Sequence, residues 1–355
     1  MNARTKNIVE FFKLKHRARP IFASFIAVAM ILAAIACNKF PSNESEPALK
    51  NVRGFTLATW RLNGYSSSST FTQIERIAGL GANHLAVLVT AYQGNENSSD
   101  CRNDPNRTPR LETVEHCVMY AKTQGLKVAL KPQIMLDNGA WSGKINPDDP
   151  TAWFAAYREF LRPLAAMAEH AGVDQFIIGT ELAGTLKHTA EWRQTIDSIR
   201  AVFSGKLLYA ASWDEAAQVP FWAEMDYVGV NFYAPVTHRR DAGRLEMLAG
   251  WQPWLNKLEA LHRQTGKPLL LTEIGYRSVD GAGMNPHIFG GRVSRDYQEQ
   301  SDLYWAALQA TRDVPWIDGM FWWNWLASGE GGMSDSDFTP ADKPAETEIR
   351  KSWRE

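Results

Sequence analysis

Cysteine is scarce in this chain: its 355 residues include three, at positions 37, 101 and 117. Neither these nor the eight scattered histidines are spaced as metal ligands. No metal site is expected, and nothing calls for a cofactor. Net charge is also missing, since the formal balance is -1, which removes the electrostatic footprint of a nucleic-acid-binding protein. No internal repeat or low-complexity segment interrupts the chain. A glycine-rich phosphate loop is absent after the last two strand-like runs: Gly329, Gly331 and Gly332 lie well beyond them in an acidic setting, which sets a phosphate-dependent barrel enzyme aside. The apolar run from Ile21 to Ala36 is short for a membrane-spanning helix of roughly 20 residues.

The charge that is present is unevenly placed. Residues 1–36 hold six Lys/Arg and one Glu, and the remainder has 32 basic and 38 acidic residues, a balance of -6. Arg4, Lys6, Lys13, Lys15, Arg17 and Arg19 precede the apolar run, which ends Ala34-Ile35-Ala36-Cys37. Residues 1–36 therefore read as an export signal. Small residues before a cysteine resemble a bacterial lipoprotein cleavage box in which Cys37 becomes lipidated, although Ala34 stands where leucine is usual; the alternative is an uncleaved signal anchor. Residues 37–51, rich in Ser, Glu, Asn and Pro, follow as a flexible tether. A monomer held by a lipid at the bacterial cell envelope, on the periplasmic side or the cell surface, is the expectation. In that compartment Cys101 and Cys117 form a disulfide, or stay as one buried and one exposed thiol.

Hydrophobic residues make up 45% of the chain, enough for a large core. From residue 52 to 355 short apolar runs alternate with amphipathic helical patterns, the signature of βα units around a parallel sheet. Strands are expected near Phe55–Trp60, His84–Thr90, Lys127–Gln133, Gln175–Gly179, Leu207–Ala211, Tyr227–Phe232, Leu269–Thr272 and Ile317–Trp323. Six helices fit between them, near residues 70–80, 111–124, 150–171, 188–203, 248–265 and 295–311, while the fifth crossover, near Pro220–Glu224, is short. Eight strands give an α/β fold with a single (β/α)8 TIM barrel.

Two of these runs end in a carboxylate: Leu269-Leu270-Leu271-Thr272-Glu273 and Phe176-Ile177-Ile178-Gly179-Thr180-Glu181. A buried strand that stops at an acid must open into a polar pocket or pair the acid. Glycosidic bond cleavage needs two carboxyl groups facing each other, and strands four and seven lie across a barrel mouth from one another. The 14 tryptophans point the same way, because indole faces suit the C–H faces of sugar rings. Trp60, Trp141 and Trp213 sit at strand ends or in loops on the catalytic side, with a sugar contact or a structural role open for each. In Met320-Phe321-Trp322-Trp323-Asn324-Trp325 alternation turns neighbours to opposite faces, giving Trp323 beneath the sugar, Trp322 packed outward and Trp325 at the rim. Lys131 and Asn231 are candidate sugar contacts, Lys131 alternatively a buried partner of an acid.

Glutamates ending strands four and seven, with aromatics ending strand eight, resemble clan A of the glycoside hydrolases, and within it the β-mannanase family, family 113. The likeness runs from about Gly54 to Lys343 through Leu130-Lys131-Pro132, Gly139-Ala140-Trp141-Ser142-Gly143-Lys144-Ile145, Gly179-Thr180-Glu181-Leu182, Tyr209-Ala210-Ala211-Ser212-Trp213-Asp214, Asp226 to Tyr233, Leu271 to Tyr276 and Phe338 to Ala345. The resemblance implies a retaining β-glycoside hydrolase without cofactor, acting on β-1,4-mannan or manno-oligosaccharides, with Glu181 as acid/base, Glu273 as nucleophile and Tyr233 as hydroxyl donor to Glu273. Thr180 stands where many clan A enzymes carry an Asn that holds the sugar 2-hydroxyl, and Gln133 stands where His is expected. The alternatives are a clan A hydrolase of another β-glycan, such as a glucan or xylan, and a catalytically silent carbohydrate-binding lipoprotein.

Overall fold

Runs such as His84–Gln93 and Leu269–Ile274 contain no exposed residue, as a strand covered by helices outside and side chains inside requires. The computed structural model describes residues 50–291 and 293–354; the expected export signal, Cys37 and most of the tether lie outside the described residues. Eight parallel strands close into one barrel in chain order: β1 Val52–Ala58, β2 His84–Gln93, β3 Lys127–Leu136, β4 Gln175–Thr180, β5 Lys206–Ser212, β6 Val228–Phe232, β7 Leu269–Ile274 and β8 Ile317–Leu326. Closure is made by β1 pairing with β8 from Val52–Gly319 to Ala58–Leu326. The longest unbroken register joins β2 and β3 over ten pairs, His84–Lys127 to Gln93–Leu136.

Helices α1 Ser68–Gly79, α2 Leu111–Thr123, α3 Pro150–His170, α4 Thr189–Arg200, α5 Arg244–Ala249, α6 Gln252–Thr265, α7 Tyr297–Arg312 and α8 Pro344–Arg354 lie outside the strands. Their starts are written locally: Ser67, Asp149 and Asp296 each accept a hydrogen bond from a first-turn backbone N–H, and Pro150 opens α3. The fifth crossover is short as expected, holding the 3-10 turns Ala216–Gln218 and Trp222–Glu224. The expected helix over 248–265 is two helices, because Trp251 breaks the run to stack on Phe232 at 4.4 Å. Helix α8 was not anticipated; Ala345, Ile349 and Trp353 form its buried stripe, and Trp353 meets Phe55 of β1 edge-on at 5.4 Å. Among the described residues no helix is long and apolar enough to cross a membrane.

The expected Cys101–Cys117 disulfide is not formed, and neither thiol is exposed: both cysteines are free and buried. Cys101 faces Tyr157 of α3, whereas Cys117 of α2 faces Tyr65, so the thiols serve different packing contacts, and burial raises the pKa of each.

Two apolar layers result. The larger lies between strands and helices; the smaller fills the barrel with Val52, Ala86, Ala129, Ile177, Leu208, Ala210, Leu270 and Phe321. Small residues make room for Phe321, and Gly54 is the tightest such place: a Cβ there would lie 2.5 Å from the Phe321 ring. Gly54→Val is expected to cost about 1–3 kcal/mol through overpacking, read as a lower urea midpoint with unchanged slope. An unaltered midpoint would show that the barrel filling yields freely.

Candidate active site

The two strand-end glutamates owe their aim to extra residues in the strands that carry them. β4 and β5 pair at Ile177–Leu208 and again at Thr180–Ala210, so β4 gains one residue just before Glu181. β7 likewise gains one against β6 between Leu271 and Glu273. Such bulges turn consecutive side chains to one face. Thr272 and its neighbour Glu273 therefore both reach inward, Thr272 donating to Asn231 Oδ1 at 2.9 Å while Glu273 meets Lys131 and Tyr233. Glu181 takes a left-handed backbone, φ 51°, a costly conformation for a non-glycine residue. It is held there by its N–H to Ala210 O at 2.8 Å and by Leu182 N–H to the Tyr209 hydroxyl at 2.9 Å.

The two carboxyl groups have different surroundings. Glu181 Oε1 accepts from Asn231 Nδ2 at 2.9 Å and Oε2 from Trp141 Nε1 at 2.5 Å. Burial, followed by the charge of Glu273, pushes its pKa up to about 7 against the pull of these two donors and Lys131. Glu273 lies between the Lys131 ammonium, 3.0 Å from Oε1, and the Tyr233 hydroxyl, which donates to Oε2 at 2.8 Å. The Lys131 contact is an ion pair lying off the line of a directed hydrogen bond. Burial and the neighbouring Glu273 keep the Tyr233 hydroxyl protonated, so it remains a donor. One acid thus keeps a substantial share of its acid form near pH 7, while a cation and a hydroxyl face the other.

Both acids line one cavity of about 670 Å³ at the C-terminal ends of the strands. Trp60, Trp141, Trp213, Tyr233 and Trp323 line it too. Trp141 reaches Glu181 because its indole folds back over Gly143, where a Cβ would lie 2.4 Å from the ring. Trp323 faces the cavity while Trp322 is buried against Tyr304, ring centroids 4.0 Å apart. Trp325 is not at the rim: it is fully buried against Phe55, with its N–H donated to Gln73. β8 gains one residue against β1 between Trp322 and Trp325, which resets the alternation and turns Trp325 outward onto Phe55 of β1 and Gln73 of α1.

Lys131 takes the second of its two expected places, as a buried partner of an acid, and Thr180 and Asn231 lie beneath the cavity with it. None has more than 1% of its surface exposed, and each is engaged beneath the cavity: Lys131 on Glu273, Asn231 between Glu181 and Thr272, and Thr180 donating to Pro132 O at 3.1 Å. They support the carboxylates from below and leave no face for a sugar. A smaller cavity of about 190 Å³ under the β7–α7 loop holds neither glutamate.

The sequence profile described as Glycoside Hydrolase Family 113 matches residues 54–343, a span that contains the barrel strands except the first two residues of β1, and both glutamates. The chain belongs to glycoside hydrolase family 113. Solved structures agree at the level of the fold. A family 113 β-mannanase from Alicyclobacillus acidocaldarius, in complex with ManMIm, superposes with TM-score 0.79 at 23% identity, over 86% of this chain and 97% of that one. A second structure, a family 113 β-1,4-mannanase, gives 0.78 at 23% identity, over 86% and 99%. A Faecalibacterium prausnitzii β-glucuronidase gives 0.58 at 13% identity, over 86% of this chain and 49% of its own. No curated protein matches the sequence.

In this family 113 member the cavity also takes residues that sequence reasoning had not assigned to the site. Gln133, Asn324 and Phe338 come from β3, β8 and the segment after it; His287 and Phe289 come from the β7–α7 loop. Gln133, two residues on from Lys131, was findable by strand alternation; Asn324 reaches the cavity beside Trp323 through the irregularity in β8, and no sequence pattern marks the loop residues. If the reaction draws its proton from Glu181, kcat/KM is expected to fall as pH rises through about 7. The Trp141 bond favours the charged form, so Trp141→Phe is expected to raise the Glu181 pKa and move the basic limb of the kcat/KM profile to higher pH. A limb that stays in place or moves lower would show that the indole does not govern Glu181.

Proposed function

We propose that this chain is a retaining β-glycosidase that cleaves β-1,4-mannan or manno-oligosaccharides with Glu181 as acid/base and Glu273 as nucleophile. The observation that carries the reading is the opposed environment of the two acids in one cavity. In the first step Glu181 gives its proton to the glycosidic oxygen as the C1–O bond breaks, and a Glu273 oxygen forms a bond to C1. The leaving sugar departs neutral and a glycosyl ester remains on Glu273. In the second step Glu181, now ionised, takes a proton from water as the water oxygen attacks C1 and the ester bond breaks, restoring both groups. Tyr233 and Lys131 hold Glu273 as an anion before attack, and Trp323 offers its face to the sugar at the cleavage point.

The manno-configured substrate is supported by the family and by the names of the two mannanases with similar folds. A silent binding protein has no use for an acid whose pKa is lifted toward neutrality beside a second acid that is held by a cation. The test is reducing-sugar release from mannan, glucomannan, cellulose and xylan by residues 38–355. Release from mannan, lost with Glu273→Ala and lowered about 10²–10⁴-fold with Glu181→Ala, is expected; faster release from cellulose or xylan would replace the substrate. Azide with an activated substrate is expected to give the β-glycosyl azide from Glu181→Ala and the α-anomer from Glu273→Ala. Swapped anomers would exchange the two roles.

We also infer from the basic, apolar and Ala-Ile-Ala-Cys order of residues 4–37 that the enzyme is exported and lipid-anchored at Cys37. In an expressing bacterium, labelled fatty acid is expected to enter the full chain and to be lost with Cys37→Ala. Equal labelling of both would remove the anchor.

A further inference from the structure

Two polar atoms in the cavity wall have no partner in the protein. Gln133 Oε1 and Trp60 Nε1 are each buried at the atom and form no hydrogen bond, yet both residues line the cavity that holds Glu181 and Glu273. They stand on either side of β2, Trp60 just beyond the end of β1 and Gln133 on β3, where it pairs with Thr90 of β2. Most of the other polar groups at this end are engaged: Thr180 with Pro132, Asn231 with Glu181 and Thr272, Tyr233 with Glu273, and Ser212 with Asp214 at 2.6 Å. Leaving a buried amide oxygen and an indole N–H unmatched costs about 1–3 kcal/mol each, a cost that ligand binding would relieve.

From these two atoms and the charge around them, we propose that Trp60 and Gln133 are the specificity-determining pair that holds hydroxyl groups of a neutral sugar ring, and that they exclude acidic sugars. The chemistry is selective. A hydroxyl both donates and accepts, so it satisfies the Gln133 amide from either of its ends and accepts the Trp60 N–H. A sugar carboxylate can accept from the indole and from the amide NH2, but it has no proton to give the unmatched Gln133 oxygen. The cavity also presents Glu181, Glu273, Asp214 and Asp337; Lys131 is sealed beneath it and spent on Glu273, while Arg277 and Lys343 are engaged with Asp337 and its neighbours. An added anion therefore finds no countercharge among the described lining residues. This inference deepens the reading given under Proposed function and rests on it for the class of ligand.

The experiment uses Trp60→Phe, which keeps the ring and removes the N–H, and Gln133→Leu, which keeps bulk and removes the amide. Both are compared with the unaltered enzyme on whichever neutral β-glycan oligosaccharide it cleaves fastest. Each variant is expected to lose about tenfold or more in kcat/KM, the larger part in KM. On mono-deoxy versions of that oligosaccharide the Gln133→Leu loss is expected to vanish for one deoxy position and persist for the others. A purely structural role would lower kcat/KM equally on every deoxy substrate, and that result, or folded variants with unaltered kcat/KM, would overturn the assignment. Uronic-acid oligosaccharides are expected neither to be cleaved nor to compete; competition as strong as that of the neutral ligand would overturn the exclusion of anions. If the preferred glycan proves not to be a mannan, the substrate proposed above fails while the pair is still tested. If no neutral glycan is cleaved or bound, both readings fall.

Discussion

Two carboxyl groups that share a poorly solvated cavity repel one another when both are charged, so the protein has to determine which of them holds the proton. Burial and the charge of Glu273 lift Glu181 to about 7, a preference for the acid form worth roughly 3 kcal/mol over an ordinary glutamate in water. Glu273 instead has the Lys131 ammonium 3.0 Å from one oxygen and the Tyr233 hydroxyl donating to the other. The asymmetry is what double displacement needs, since one residue must begin with a proton to give and the other must begin without one. Had Lys131 been placed between the two acids, it would have favoured ionisation of both and removed the proton donor.

The barrel makes this asymmetry possible by putting cation and acid on non-adjacent strands. Lys131 rises from β3 and Glu273 from β7, and they meet in the interior at 3.0 Å with no exposed surface on the lysine. A buried pair of this kind is tolerable only when each member has further partners. Asn231 of β6 ties the two halves together, donating its amide N–H to Glu181 and accepting at its oxygen from the hydroxyl of Thr272, the residue before Glu273. The bulges in β4 and β7 let consecutive residues contribute to this network, where a regular strand would send every second side chain outward. The left-handed backbone at Glu181 is a further cost, held by the flanking bonds to Ala210 and Tyr209.

The parts of this arrangement that follow from chain-local rules were legible in the sequence. Apolar runs ending in Glu181 and Glu273 mark strand ends because continuous burial and a terminal acid are both local patterns, and the alternation of Trp322 and Trp323 follows from the pleat. Trp325 and the inward pairing of Thr272 with Glu273 were not legible. Each depends on the register against a neighbouring strand, which is fixed by contacts more than 40 residues away in sequence. Lys131 shows the same limit: its residue type permits a sugar contact or an ion pair, and only the distance to β7 decides between them. The residues of the β7–α7 loop, His287 and Phe289, reach the cavity through the path of an irregular segment that carries no periodicity to read. Helix α8 escaped notice because its buried stripe, Ala345, Ile349 and Trp353, is only three residues wide within a largely polar stretch.

A division of labour follows from where the bonds are. Beneath the cavity, Thr180, Lys131 and Asn231 are engaged with protein partners, and Tyr233 in its wall is bonded to Glu273, so a change at Lys131, Asn231 or Tyr233 removes a direct contact to one of the two glutamates. Around its wall and rim, Trp60, Gln133, Phe289 and Phe338 make few such bonds and can vary without altering that balance. A fold whose catalytic floor is closed to substrate and whose wall is open to substitution can keep one mechanism while changing the sugar it accepts. That reasoning accounts for how barrels with TM-scores from 0.58 to 0.79 against this one include both β-glucuronidases and β-mannanases. If Gln133, which contacts neither carboxylate, holds the sugar as proposed, selectivity for a neutral ring need not cost catalytic power.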